Sequence, residues 1–481
     1  MAQSVEQLIR NQQVGGSSPP TSSKEHLLIS FCKCSFFEII FVTHLMRLIM
    51  KLLDSDLYDG GLKKDGIFFF SFCCITLLFT LDFSAVSIPF LIAYVVLSVG
   101  SFLWCANTYR LQMNVEKLVV PLFAVVGLFY AFGFPVSNEI ETSLSMSLSD
   151  GQFFSRILYL PFYHLFHSFS SHIVSTYLAR VFTVIICAII LGFSVQTTPY
   201  GESIISIVAL LPSSIYLTVL GSSISTSLFL SILFISLIIR VAYTKSYYVM
   251  TTRYRFALIF ACSILVLADL ACLAFWALLF MIPERCYGDK KNRFRFIAVL
   301  LTILILILIY RFYTTGNYNT SVFSKKSVFV EEILQTPFHY VLTIFRTFFV
   351  EGGNYLLNIF SLDNNPLKTP WPLLVSLAIV FVYVVYFDSG LSPKRFFVIR
   401  CTLISSILFI AVVGTKGYLF STNNASGLMN YLQGTEFLPV FIPLIFFIKR
   451  LFKHPAAPQK NLSFAVLITV LVDLTSGLYY F

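Results

Sequence analysis

Residues 256–282 read FALIFACSILVLADLACLAFWALLFMI, twenty-seven positions whose only charge, Asp269, stands at the centre. Lys245, Arg253 and Arg255 precede the run, and Arg285, Lys290, Lys291, Arg293 and Arg295 follow it. So long an apolar stretch belongs in hydrocarbon, where one central charge costs at least about 2.5–3.5 kcal/mol. Lys and Arg collect on the cytoplasmic side of a membrane, so both flanks are expected there. The segment must then enter and return as two short helices turning near Asp269. Backbone at that depth is tolerated only where protein buries it or water reaches it. Asp269 reads either as the cap of that turn or as an intramembrane functional charge.

Outward from this hairpin, further runs approach the roughly 20 apolar residues that a spanning helix needs. They are 66–82, 85–105, 118–134, 173–195, 204–220, 225–243, 296–312, 373–387, 397–413, 438–448 and 463–481. The remaining basic clusters (Lys63-Lys64, Arg110 with Lys117, Lys394-Arg395 with Arg400, and Lys449-Arg450 with Lys453) agree with one topology, N-terminus inside. Three long segments, 135–172, 313–372 and 414–437, then face outward. Within the second, 338–360 reads as an amphipathic helix lying on the membrane. The expected fold is an all-α polytopic membrane protein of about 11–13 transmembrane helices, with outer-face loops and an amphipathic surface helix.

Composition points the same way. Of 481 residues 57% are hydrophobic and only 12% charged, half the roughly 25% of a soluble chain. The net charge of +10 is no nucleic-acid signature, because the basic residues sit in short clusters between apolar runs. The ten cysteines are scattered, without zinc-ligand spacing, and read as small packing residues.

Residues 1–28 are polar and lack the order of a signal peptide. Ala2–Gln7 back-translates to a transfer-RNA D-arm and Gly16–Pro19 to a T-arm, 14 codons apart. We therefore hypothesise that residues 1–45 are a poorly ordered extension or the translation of an adjacent gene, with Met46 or Met50 the true start. A mature N-terminal peptide from residues 1–24 in mass spectrometry would overturn this. N-terminal membrane helices (46–117), a main membrane domain (118–450) and a last transmembrane helix (451–481) follow.

Polar residues gather on the outer segments. After the third span come Asn138, Glu139 and Glu141, then Asp150; such acids serve as general bases, metal ligands or plain solvated surface. His164 and His167 share a helix face and read as packing or, less simply, as metal ligands. Arg180 lies within a span, about two turns from its outer end. It would either snorkel to the headgroups or pair with Glu139 or a substrate phosphate. The last outer segment carries Lys416, Gln433 and Glu436. A lysine facing outward, against the topology bias, suits a lipid-linked phosphate.

The order of these pieces resembles the bacterial membrane proteins grouped as domain of unknown function 2142, themselves similar to the GT-C class of membrane glycosyltransferases. The resemblance covers about residues 118–450. It rests on Pro135-Val-Ser-Asn138-Glu139, Tyr177-Leu-Ala-Arg180, Leu210-Leu-Pro212 with the Ser-rich turn 222–226, Phe280-Met-Ile-Pro283, Gln335-Thr-Pro337 and Gln433-Gly434-Thr435-Glu436-Phe-Leu-Pro439. The chain departs from that family at three places. Ser137-Asn138-Glu139-Ile140 stands for Pro-Asp-Glu-Pro, Ile224 for an Asp, and Thr435-Glu436 for Arg-Tyr.

The resemblance implies a transferase in the bacterial cytoplasmic membrane, moving sugar from a polyprenyl-phosphate carrier to a surface-glycan acceptor. In that reading Glu139, beside Asn138, is the base, Arg180 and Lys416 meet the departing phosphate, and Glu141 and Asp150 bind a divalent cation. Gln433 and Glu436 would line the substrate, with 338–360 as lid or acceptor groove. The missing Asp and Arg instead favour an inactive scaffold of a glycan-synthesis complex. A transporter or flippase for a lipid-linked saccharide is the third reading, for which only the Asp269 hairpin speaks.

Overall fold

The computed structural model describes residues 115–134, 153–199, 201–243, 249–316, 335–362, 369–387, 396–420, 432–451 and 459–480, with Met429 and a few positions between 94 and 100. The described elements are helical throughout. They are α1 (Val115–Gly133), α2 (Leu160–His167), α3 (His172–Thr197), α4 (Glu202–Ala209), α5 (Pro212–Val219), α6 (Ser223–Tyr243) and α7 (Thr252–Ala268). A 3₁₀ segment, Leu270–Met281, leads to α8 (Lys290–Gly316), α9 (Pro337–Phe360), α10 (Trp371–Phe387), α11 (Phe396–Phe420), α12 (Leu438–Leu451) and α13 (Gln459–Tyr480).

Four of these are long and apolar enough to cross a membrane: His172–Thr197, Ser223–Tyr243, Lys290–Tyr310 and Arg400–Tyr418. The bent pair α4–α5 makes a fifth span, and five shorter apolar helices accompany them. The 57° bend falls at Leu210-Leu211-Pro212, where proline forces Leu211 out of helical backbone (φ −60°, ψ 141°) and opens α5 at its first turn. The outer surface is what lipid requires. Ile185, Ile189 and Phe193 on α3, Ile305, Leu306 and Ile309 on α8, and Ile404 and Ile407 on α11 are all exposed. The chain is a polytopic α-helical membrane protein. The expected spans 66–82 and most of 85–105 lie outside the described residues.

Close packing fixes how the helices run. Gly127 on α1 receives Val184 of α3, and Gly192 of α3 receives Val120 of α1, so the two helices are antiparallel. Gly477 of α13 sits on Tyr130, near the C-terminal end of α1. Tyr216, late in α5, packs edge-on against Phe134 at 4.9 Å, and Gly221 lies against Tyr159. The C-terminal ends of α1, α5 and α13 and the start of α6 therefore share one face.

The in-and-out hairpin is borne out. The Met250 amide donates to the Cys286 carbonyl at 2.8 Å, and Arg255 Nη2 to the Tyr287 carbonyl at 3.0 Å, so the arms begin and end together. This is the basic face, where Arg240, Arg253, Lys290 and Lys291 also lie exposed. One detail differs from expectation: the arms are not short. Seventeen α-helical residues rise about 25 Å. Twelve α-helical residues would rise only about 18 Å, but at the 3₁₀ rise of about 2 Å they reach about 24 Å and match their partner. Asp269 therefore sits close to the far face of an approximately 30 Å hydrocarbon layer, not at its middle. The 3₁₀ arm packs mainly on α11, with Phe275 stacked on Phe409 at 5.1 Å.

Across that far face lies α9. Tyr340 hydrogen-bonds Thr415 near the end of α11 (2.5 Å), and the Met429 amide donates to Thr347 Oγ1 (3.1 Å). Tyr355 packs on the turn before α12, and the Ser213 hydroxyl donates to the Ile359 carbonyl. The first half of α9 meets the tips of spans, whereas its C-terminal end descends among them: Ser213 stands just past the bend inside the α4–α5 span, and Phe360 packs on Phe381 at 5.5 Å, about 15 Å along α10. The underside of α9 is Thr343, Thr347, Tyr355 and Ile359, while Phe338, Phe345 and Phe349 point away and are exposed. That is the face a helix half-sunk in an interface presents to acyl chains.

Candidate functional site

The far face holds a polar cluster assembled from three elements. Asp269 caps the hairpin turn in extended backbone (φ −144°, ψ 122°), its Oδ1 accepting from the Ala271 amide at 3.0 Å. Lys416 stands on the last turns of α11, not in the loop from 414 onward that the apolar run marks out. Its Nζ lies 3.5 Å from Glu436 Oε1, in the 3₁₀ turn Gly434–Phe437 just before α12. Burial pushes the Glu436 carboxyl above its ordinary range; Lys416 pulls it down, and the Asp269 charge pushes it up again. Asp269, Lys416 and Glu436, far apart in sequence, thus act on one another. Lys416 keeps 47% of its side chain exposed and Glu436 only 20%, so the ammonium remains open to an anionic ligand. Gln433, the residue before the turn, is exposed.

Above the cluster sits a residue that sequence reasoning missed. Tyr355 of α9 is 7% exposed, and its hydroxyl has no hydrogen-bond partner among the described residues. Burial, with Glu351 and Glu436 nearby, pushes its pKa up to about 12. A buried hydroxyl without a partner costs about 1–3 kcal/mol, so a ligand's acceptor would find it ready. Its only sequence signal is a tyrosine in register with Thr347 and Ile359 on the inward side of α9. Gly434 lets α9 come this close: a Cβ there would stand 2.1 Å from the Tyr355 carbonyl oxygen.

A second group surrounds Arg180, which is 1% exposed. It does not snorkel. Nη1 donates to the Phe134 carbonyl at 2.5 Å and to the Ala131 carbonyl at 3.4 Å, and the guanidinium lies 5.5 Å from the Tyr177 ring. Ala131 and Phe134 carry the orphan carbonyls at the end of α1, where a cation satisfies both hydrogen bonding and the helix dipole. Four residues further on the chain reaches Asn138. Phe134 and Phe153, the described ends of the loop with Asn138, Glu139, Glu141 and Asp150, both lie on the far face; those four residues themselves fall outside the described residues.

Tyr163 packs on His167 (stacked, 5.4 Å), His164 and His172. Among the described residues no group of three His, Cys, Asp or Glu side chains is arranged to hold a metal ion, and His164 and His167 both pack on the Tyr163 ring. Burial, then His167, lowers the His164 pKa.

A helical bundle that exposes apolar surface to lipid and gathers polar side chains at one end is an integral membrane protein with a polar cluster at a membrane face. The chain belongs to the family described as predicted membrane protein DUF2142, whose family model matches residues 137–443. No curated protein and no solved structure matches it.

Proposed function

We propose that the chain is a glycosyltransferase of GT-C type, taking sugar from a polyprenyl-phosphate carrier at the face that bears Lys416. The single observation that carries this reading is the cluster of Lys416, Glu436 and Asp269 beneath α9, with the orphan Tyr355 hydroxyl in its wall. A half-exposed ammonium at a membrane face suits a phosphate whose tail stays in lipid. Glu139 takes the proton of an acceptor hydroxyl, that oxygen bonds to the anomeric carbon, and the bond from the anomeric carbon to phosphate oxygen breaks. Polyprenyl phosphate leaves with the electron pair, and fixed positive charge steadies it. Lys416 is the residue for that task. Arg180, spent on the end of α1, instead positions the segment leading to Asn138 and Glu139. Glu141 and Asp150 are the residues that would take a divalent cation, and Gln433 borders the substrate. The positive-inside bias supports an outward orientation of this face in a bacterial cytoplasmic membrane.

The break inside the α4–α5 span favours a second reading, a lipid-linked saccharide transporter. Such proteins build ion and substrate sites at broken helices near the bilayer midplane, where Leu210-Leu211-Pro212 interrupts this span. One experiment separates the two. Lipid-linked saccharides and surface glycan are measured by mass spectrometry in a deletion strain and in strains carrying Glu139→Gln or Lys416→Gln at normal protein level. A transferase loses the same sugar in all three. If deletion removes it while both substitutions are silent, the transferase reading fails and transport or scaffolding takes its place.

A further inference from the structure

At the opposite, basic face a groove of about 740 Å³ opens between the 3₁₀ arm, α8 and α11. That volume falls within the roughly 300–1,000 Å³ of small-molecule sites. Its walls are almost wholly apolar: Trp276, Ala277 and Phe280 from the hairpin, Leu301 from α8, and Ile404 and Leu408 from α11. Phe280, Leu301, Ile404 and Leu408 are each about half exposed, so the groove faces the lipid. Its polar lining includes two arginines, Arg293 near the start of α8 and Arg400 in the first turns of α11. Leu301 and Leu408 lie eight residues further along the same helices, about 12 Å deeper at 1.5 Å per residue. The groove is thus cationic at the membrane face and apolar inward, the polarity of a phospholipid standing in its own leaflet.

We infer that this groove binds an anionic phospholipid, its acyl chain against Trp276 and Ile404 and its phosphate met by Arg293 and Arg400. Guanidinium groups meet phosphate oxygens in pairs. Basic pockets between helices on the cytoplasmic side recognise acidic headgroups. Arg293 pairs with Glu284 and keeps 24% of its side chain exposed, and the excess charge at this face comes from the 284–295 segment, where Arg285, Lys290, Lys291, Arg293 and Arg295 outnumber Glu284 and Asp289. A zwitterionic headgroup would leave that excess unmatched. The site stands apart from the Lys416 cluster and does not depend on the function proposed for it.

The test uses the full chain, stripped of lipid in detergent and titrated with phosphatidylglycerol or phosphatidylcholine of identical acyl chains, with retained lipid read by native mass spectrometry. Phosphatidylglycerol should be held at least tenfold more tightly. The double variant Arg293→Gln, Arg400→Gln should bring that preference to about twofold or less. Ala277→Trp, which fills the apolar part and leaves both arginines, should weaken both lipids. Equal retention by the wild type, or a preference intact in the arginine double variant, overturns the proposal. So does displacement of phosphatidylglycerol by equimolar polyprenyl phosphate, which would make the groove a carrier site. Should the variants fold poorly, wild-type protein is crosslinked with a phosphatidylglycerol bearing a photoreactive acyl chain. Label must then fall on 273–280, 297–301 and 401–408, and label elsewhere sinks the idea.

Discussion

Replacing Arg180 with alanine separates two roles for this buried arginine. The structure uses the side chain to close α1, so its loss should be felt first in stability. The charged hydrogen bond to Phe134 contributes about 1.5–3 kcal/mol, and the longer one to Ala131 less. The Tyr177 ring adds up to about 2 kcal/mol where water is excluded. Against these stands relief from keeping a charge at 1% exposure, which returns part of the sum. A net loss of about 2–4 kcal/mol remains, a large fraction of an ordinary total of about 5–15 kcal/mol. The readout is built in: Cys187, Cys262, Cys272, Cys286 and Cys401 are buried free thiols that a thiol-reactive dye reaches only on unfolding. Arg180→Ala should melt lower by on the order of 5 °C. Arg180→Lys should recover less than half, because a single ammonium lacks the planar fork and stacks poorly. If Arg180→Ala melts with the wild type yet abolishes sugar transfer, the arginine touches substrate and the capping argument is wrong.

Three further outcomes follow from the far face. Gly434→Ala drives a methyl into the Tyr355 backbone, which cannot yield as a side chain would; it should cost about 1–3 kcal/mol and raise hydrogen exchange across 337–360. Glu436 has a raised pKa, so the stability tied to its neutral form is complete below the ordinary carboxylate value and is lost as pH rises through the shifted one. Glu436→Gln should therefore melt at or above the wild type at pH 8, the gap closing on acidification, since a pair with a half-exposed lysine is worth only about 0–1 kcal/mol. A variant clearly less stable at pH 8 would refute this. Asp269→Asn keeps an acceptor for the Ala271 amide and should leave the melting temperature nearly unchanged, whereas Asp269→Ala loses the cap and about 1 kcal/mol.

The helices were legible because their signal is local. Apolar run length places a span without any knowledge of its neighbours: 173–195 became His172–Thr197, and 338–360 became Pro337–Phe360. Even the bend within 204–220 is written in Leu210-Leu-Pro212, since proline acts on the residue before it. The errors occur where geometry departs from one standard rise. The twelve residues after Asp269 look like an ordinary apolar helix, and nothing in their order announces the longer 3₁₀ rise that carries Asp269 to the far face. The apolar run fades near Gly414 and marks Lys416 as loop, yet the helix continues to Phe420, held by Tyr340 on Thr415 and by Tyr340 against Tyr418.

The site was legible as to its face but not its distances. Every crossing reverses direction, so the parity of crossings alone puts Lys416 and Glu436 on one side, and a hairpin with two basic flanks must point its turn toward them. Which residues then touch depends on packing between elements that sequence order does not relate. Lys416 and Glu436 are 20 positions apart, and Asp269 is far from both. Tyr355 matters only because Gly434 lets α9 descend on the turn, a contact that neither segment reveals alone. Asp473 makes the same point from inside the bundle. It stands within the run 463–481, fully buried, and neither carboxyl oxygen has a partner among the described residues. Tyr130 donates to its backbone carbonyl at 2.6 Å, not to its side chain. A lone acid in an apolar run is visible at once in a sequence; its surroundings, which decide whether it is a cap like Asp269 or a buried acid like Asp473, are not.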